Sequence, residues 1–428
     1  MTGQDMTERT GASAFDFDTP VDRAGTHALK WEEAGGALPM WVADMDFTTA
    51  PAIREALQRR LDNGVFGYST IPGEWNRAYA DWWKTRHGLD IDPESLIFTT
   101  GVIPAISSMV RKLTTPAENV LIMTPVYNIF FNSILNNGRN ALQCPLVYRR
   151  GAADDGMPAG RYEIDWEDLE AKLADPQTTL MILCNPHNPT GMIWDRGTLA
   201  RIGDLCWTHH VTVISDEIHC DLTDPGVGYV PFAAAGPHCA AISATCLAPT
   251  KAFNIAGLHT AAVMVPDPTL RHKVWRGLNT DEVAEPNAFA VDAAIAAFRE
   301  GGPWLDALRD YLAVNKREAA RIIAEYNGTV SADCRVALVS GPATYLLWLD
   351  CAAFVTADAT DADAAGPRRR FTDTDGLCAW LKREHYVMFS PGRQYGGDGR
   401  GFLRINVACP RAQMVEGLNR LIAGLHAL

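Results

Sequence analysis

Six short apolar runs constrain this chain more than any other feature. "LIF" (96–98), "NVLIM" (119–123), "TLMILC" (179–184), "VTVIS" (211–215), "AAISAT" (240–245) and "AAVMV" (261–265) recur between residues 50 and 290, with amphipathic stretches separating several of them. Runs this short, bounded by turn residues, read as buried strands. After the first of them, Ile103, Ile106, Val110 and Leu113 fall on one face of a helix. Such alternation predicts an α/β domain, a mostly parallel sheet covered by helices.

The C-terminal third follows a different pattern. The stretch from 292 to 326 reads as long helices, and "TYLLWLD" (344–350) and "GFLRINVA" (401–408) read as strands of a second sheet. The expected division is therefore a large domain over 50–290 and a smaller α+β domain from 1–49 and 291–428. Within the latter, 355–370 is Ala/Asp-rich and then basic, without hydrophobic periodicity, and reads as a mobile insertion loop. The run Arg368, Arg369 and Arg370 fits a solvated loop end better than a phosphate site.

Charge and composition remove several classes of function. A formal net charge of −13 argues against nucleic acid or an anionic membrane as partner. No apolar run approaches the roughly 20 residues that span a bilayer. The first 18 residues lack a basic segment followed by an apolar one, so no secretory signal is expected and the location expected is the cytoplasm. The ten cysteines show no C-x-x-C pair and read as scattered reduced thiols.

In an open α/β sheet, ligands bind beyond the carboxyl ends of the strands. After "LIF", Gly101 and Val102 open a helix whose N–H groups suit a phosphate, although an ordinary strand–helix turn reads the same way. After "NVLIM", Tyr127 either stacks on a flat ligand or packs in the core. After "TLMILC", the rigid loop "NPHNPTG" presents Asn188, both donor and acceptor. After "VTVIS", Asp216 leads a cluster with Glu217, His219 and Asp221. That cluster has no second His/Cys group at ligand spacing, so no metal site is expected. A buried Asp216 needs a positive partner instead. After "AAISAT", "APTKAFN" carries Lys251, a lysine with no other charge beside it. A phosphate turn, an aromatic plate, an amide, an acid and an amine together match what pyridoxal 5′-phosphate requires.

These residues, with Arg404 in "FLRINVA", resemble the fold-type I aminotransferase superfamily. Within it, "WVADMDF", "FGYS", "NPHNPTG", "SDEIHCDL", "APTKAFNIAG" and "SPGRQYG" resemble the MalY/PatB-type C–S lyases, the cystathionine β-lyases of that branch. The resemblance implies that Lys251 holds the cofactor as an imine and serves as catalytic base. It implies that Asp216 pairs with the ring nitrogen, His219 lies near the ring, Asn188 bonds the phenolic oxygen and Tyr127 stacks. Gly101 and Val102 N–H groups, with the Thr250 hydroxyl, would take the phosphate. Tyr68 would reach the cofactor and substrate of a partner subunit, implying a homodimer, and Arg404 would grip the substrate carboxylate with two prongs. Two departures bear on the phosphate: Ala248 stands where many relatives have serine, and His259 where many have arginine.

The implied activity is β-elimination of L-cysteine S-conjugates, such as cystathionine to homocysteine, pyruvate and ammonia, within methionine biosynthesis. An aminotransferase acting on an L-amino acid with a keto-acid acceptor would use the same residues. Some members of the branch also regulate by binding another protein, for which the 355–370 loop is the candidate surface.

Overall fold

The computed structural model describes residues 15–151, 160–339, 341–356 and 371–428. Among them, seven strands form the main sheet: β1 (Leu96–Thr99), β2 (Asn119–Thr124), β3 (Asn140–Pro145), β4 (Thr178–Cys184), β5 (Thr212–Asp216), β6 (Ser243–Leu247) and β7 (Ala261–Met264). Their spatial order is β1-β7-β6-β5-β4-β2-β3. All neighbours run parallel except β7, which is antiparallel to both β1 and β6. The expected α/β class and mostly parallel sheet are what the chain adopts.

The central strands are buried along their whole length because helices cover both faces. One cover is α2 (Val102–Leu113), preceded by α1 (Gly73–His87). Ala105, Ile106, Met109 and Val110 of α2 are fully buried against the sheet. Burying a large aliphatic side chain contributes ~1.5–3 kcal/mol, so this stripe holds the helix where its first turn meets the carboxyl edge of β1.

Two sequence expectations shift locally. The 240–245 run is not all strand: Pro237–Ile242 is a helix, and β6 starts at Ser243. Pro237 at the first helical position favours that start, and the alanines follow it readily. Strand β3 was not foreseen. It is the edge strand, largely exposed except for Cys144, so "NALQCP" shows no continuous apolar run.

A second sheet is antiparallel: β8 (Ala337–Val339), β9 (Leu346–Asp350), β10 (Ser390–Pro391) and β11 (Phe402–Asn406), in the order β8-β9-β11-β10. Packed on it are the long helix α3 (Gly302–Thr329) and the helices Thr374–His385 and Arg411–Ala427. Arg404 sits mid-strand in β11, opposite Trp348 on one side and Ser390 on the other. Residues 357–370, most of the expected insertion loop and all of its arginine run, lie outside the described residues; Val355 and Phe371 pair at its base.

Segment 38–47 sews the two sheets together. Leu38 and Pro39 pair with Val387 and Met388, and the Asn406 N–H donates to the Met40 carbonyl at 2.9 Å. Further along, Asn254 bonds the Met45 N–H and the Met45 and Phe47 carbonyls at 2.9–3.0 Å. Asp46, almost fully buried, anchors the segment by accepting from Lys30 at 2.8 Å, Trp31 at 3.0 Å and Arg23 at 3.1 Å. Those donors hold its carboxyl below the usual carboxylate range despite burial.

Candidate active site

The carboxyl ends of β1, β2, β4, β5 and β6 converge on one cavity. Gly101, Val102, Tyr127, Asn188, Asp216, His219, Thr250 and Lys251 all line it. Five stretches of chain far apart in sequence thus deliver the expected residues to a single place, with Ala43 of the 38–47 segment contributing as well.

At the β1 end, Gly101 caps α2 without a side chain between the helix N-terminus and the cavity. A Cβ there would lie 3.2 Å from the Pro104 ring, so even alanine would crowd the first turn. The first-turn N–H groups have no intrahelical acceptor and carry the positive end of the helix dipole. Thr250, Thr260 and His259 line the same cavity, whereas Ala248 is buried in the hydrophobic core.

Asp216 ends β5 nearly fully buried, and its side chain receives one backbone donor, the Ile218 N–H at 3.2 Å. Burial pushes its carboxyl up to about 7; Glu217 adds to the rise, while the Ile218 N–H and Lys251 oppose it. A buried carboxylate so poorly compensated has room for a cationic partner in the cavity. His219 is driven the other way, down to about 3, by burial and then by Lys251 and Arg404, so its imidazole is neutral. Its Nδ1 is buried without a partner.

Lys251 follows β6 in the tight turn "PTKAFN". Its Nζ donates to the Ala43 carbonyl at 2.5 Å, and the Tyr345 hydroxyl donates to the same oxygen at 3.1 Å. Burial, aided by Arg404, lowers the ammonium to about 8, with Asp44 and Asp216 opposing. Such an amine is half deprotonated about one pH unit above neutrality, where an ordinary lysine near 10.5 stays protonated.

Arg404 reaches in from the second sheet. Nη1 donates to Asn188 Oδ1 at 3.1 Å and Nη2 to the Trp41 carbonyl at 3.0 Å. Its guanidinium lies 4.9 Å above the Tyr395 ring, and its Nε is buried with no partner. No carboxylate neutralises it among the described contacts, so it presents a desolvated positive fork to an incoming anion. Tyr127 packs edge-on against Phe130 at 5.6 Å, and burial raises its phenol to about 12.

Tyr68 is the expected residue that the chain does not bring here. It is fully exposed, on a segment without helix or strand, beside exposed Leu61, Val65 and Phe66. Conversely, Ala43, Tyr345 and Tyr395 belong to the site's surroundings without having been singled out. Ala43 acts through its backbone oxygen, which no residue type signals. Tyr345 and Tyr395 lay within "TYLLWLD" and "SPGRQYG", but only the fold turns them toward Lys251 and Arg404.

The arrangement fits pyridoxal phosphate on its own terms. Donors at a helix N-terminus suit a phosphate, an under-compensated buried acid suits a pyridinium nitrogen, and a depressed amine suits an aldehyde. The orphaned Arg404 Nε remains for an amino-acid carboxylate.

Comparison with known proteins agrees. Residues 39–421 match the model of the family described as aminotransferase class I and II. The chain is 41% identical to cystathionine beta-lyase PatB of Bacillus subtilis, over 96% of this chain and 100% of the relative. It is 34% identical to protein MalY of Escherichia coli, over 97% of this chain and 100% of that protein. Its backbone superposes with a TM-score of 0.84 on the pyridoxal-phosphate-bound C–S lyase of Staphylococcus hominis, at 30% identity, covering 97% of this chain and 99% of that one.

Proposed function

Because the chain belongs to the class I and II aminotransferase family, and within it to the MalY/PatB branch, we propose that it is a pyridoxal-phosphate-dependent carbon–sulfur lyase acting on L-cysteine S-conjugates. The observation that carries this reading is the meeting of an under-compensated buried acid (Asp216) and a depressed amine (Lys251) in one cavity, with a guanidinium carrying an unused N–H (Arg404) bonded to its wall at Asn188.

When bound, the cofactor supplies an electrophilic carbon for amines and a ring that accepts the electron pair left on Cα. Asp216 would accept the ring N–H and so favour the protonated ring nitrogen. Asn188 would bond the phenolic oxygen and Tyr127 would face the ring, with the neutral His219 near it. Gly101 and Val102 N–H groups with the Thr250 hydroxyl would hold the phosphate; with Ala248 and His259 in place of the usual serine and arginine, these groups would carry more of it. Arg404 captures the substrate carboxylate, which fixes Cα beside Lys251. Lys251, unprotonated at Nζ, takes the Cα proton, and the C–S bond then breaks as the thiolate leaves Cβ. Hydrolysis of the remainder yields pyruvate and ammonia. With cystathionine the released thiol is homocysteine, a step of methionine biosynthesis.

The test is product analysis of the purified enzyme with cystathionine. Pyruvate and free thiol formed without a keto-acid acceptor support the lyase. Strict dependence on a keto acid overturns it in favour of transamination, which needs the same side chains.

Tyr68 enters this scheme only from a second copy of the chain. Its full exposure, next to exposed Leu61, Val65 and Phe66, supports a homodimer that shares active sites. An active species that light scattering finds strictly monomeric would contradict this. We also keep the division into a cofactor domain (50–290) and a small domain (1–49 and 291–428), supported by their separate sheets. Among the described residues no helix is long and apolar enough to cross a membrane, in keeping with action in the cytoplasm. A regulatory role through the 355–370 loop is subordinate to catalysis.

A further inference from the structure

A second polar cluster lies behind the turn that follows β5. Cys220 and Asp221 come directly after His219, and His87 ends α1, 134 residues earlier. Their candidate ligand atoms all lie within 4.8 Å of one another. His87 Nε2 is 2.9 Å from Asp221 Oδ1, which also accepts from Trp82 Nε1 at 2.9 Å. The other carboxylate oxygen, Asp221 Oδ2, is buried and has no partner at all, although the side chain is only 3% exposed. All three residues border a small cavity beside Thr223 and Tyr229. The absence of a second ligand group near 216–221 argued against a metal in the linear sequence; folding supplies one from His87.

We propose that His87, Cys220 and Asp221 form a zinc site, with a fourth position open to that cavity for water. Nitrogen, sulfur and carboxylate donors suit borderline-soft Zn²⁺ rather than Mg²⁺ or Ca²⁺. Charge also balances: a thiolate and a carboxylate neutralise the ion, and His87 binds as the neutral imidazole. Ligand bonds of about 2.0–2.3 Å place tetrahedral ligands roughly 3.3–3.8 Å apart. The His87–Asp221 pair must therefore open slightly, and the widest pair must close by at most about an ångström. Arg86 and Arg309, which border the same cavity, are turned to other acceptors: Arg86 to Asp306 at 2.7 Å, and Arg309 to the Thr223 carbonyl at 2.8 Å. In the absence of an ion, burial and the charges of Asp221 and Glu217 raise the Cys220 thiol well above its ordinary value, so the thiol stays neutral. Binding then forms the S–Zn bond as the S–H bond breaks, and the thiol proton passes to solvent. The site would pin the turn bearing Asp216 and His219 to the end of α1.

The test uses tag-free, cofactor-loaded enzyme dialysed against low-micromolar free zinc, with metal analysis and proton release in weak buffer. We expect one zinc per chain, protons released on binding, and affinity reduced at least tenfold in both Cys220→Ser and Asp221→Asn. Cobalt in place of zinc should give thiolate charge-transfer absorption that Cys220→Ser abolishes. Asp221→Asn also disturbs the Trp82 and His87 hydrogen bonds, so the near-isosteric Cys220→Ser, checked by its unchanged cofactor absorption, decides the matter. No zinc retained by the wild type, or retention undiminished in Cys220→Ser, overturns the proposal.

Discussion

Replacing Asp216 by asparagine separates the cost of the site from its use. In the cofactor-free protein the carboxyl titrates near 7 instead of 3.8, chiefly because burial disfavours its charge. Each pH unit corresponds to about 1.4 kcal/mol, so the ionised group destabilises the empty fold by ~4 kcal/mol at most once the pH exceeds 7. The sign follows from proton binding. Between pH 4 and 7 the folded state keeps a proton that the unfolded state has lost, so this group's penalty is absent below about 4, grows through that window and is complete above 7. Asp216→Asn has the same shape and no charge. Cofactor-free Asp216→Asn should therefore be more stable than wild type at pH 8, by up to ~4 kcal/mol, and nearly equal to it at pH 4. The cofactor-loaded variant should show the opposite ranking, because the amide gives the ring nitrogen no charge to pair with. Urea unfolding of both forms at the two pH values reads this directly. An equal effect at pH 4 and pH 8, or no gain in the empty form at pH 8, would refute the reasoning.

Lys251→Ala should abolish turnover together with the visible absorption of the bound cofactor; turnover persisting in absorption-silent protein would remove Lys251 from the mechanism. Arg404→Ala should raise KM at least ~30-fold while the cofactor stays bound, since losing one partner of a desolvated charged contact costs ~2–5 kcal/mol; an unchanged KM would mean the carboxylate sits elsewhere. Asn254→Ala removes three hydrogen bonds from Met45 and Phe47 and places alanine at φ 54°, so it should cost ~2–4 kcal/mol in denaturant unfolding. A loss below ~1 kcal/mol there would show that segment 38–47 is held mainly by Asp46.

What the sequence discloses here is local. An apolar run followed by a glycine, an asparagine or an acid marks a strand end, and strand ends are where an open sheet places its ligands. Gly101, Tyr127, Asn188, Asp216 and Lys251 could therefore be picked out one at a time, and they share one cavity because parallel strands bring their ends to the same edge. Partnerships that cross the topology leave no such trace. Nothing near His87 points to Asp221, and nothing near Asn254 points to Met45, until helices and loops are packed. Edge strand β3 escaped because a half-exposed strand needs no apolar run. Tyr68 stands fully exposed outside the cavity, and the role the resemblance implies for it would need a second copy of the chain.

Two cations of the active site rest on backbone oxygens two residues apart: Arg404 on the Trp41 carbonyl and Lys251 on the Ala43 carbonyl. Replacing the side chains of Trp41, Val42 or Ala43 leaves those oxygens in the chain. A substitution scan across this stretch would thus overlook the feature, registering only packing losses. Adding or deleting a residue between Trp41 and Ala43 would behave differently, moving one oxygen away from its cation whatever residue is used. The segment acts as a spacer whose length is the conserved quantity to look for, and length-changing variants are the ones that would expose it.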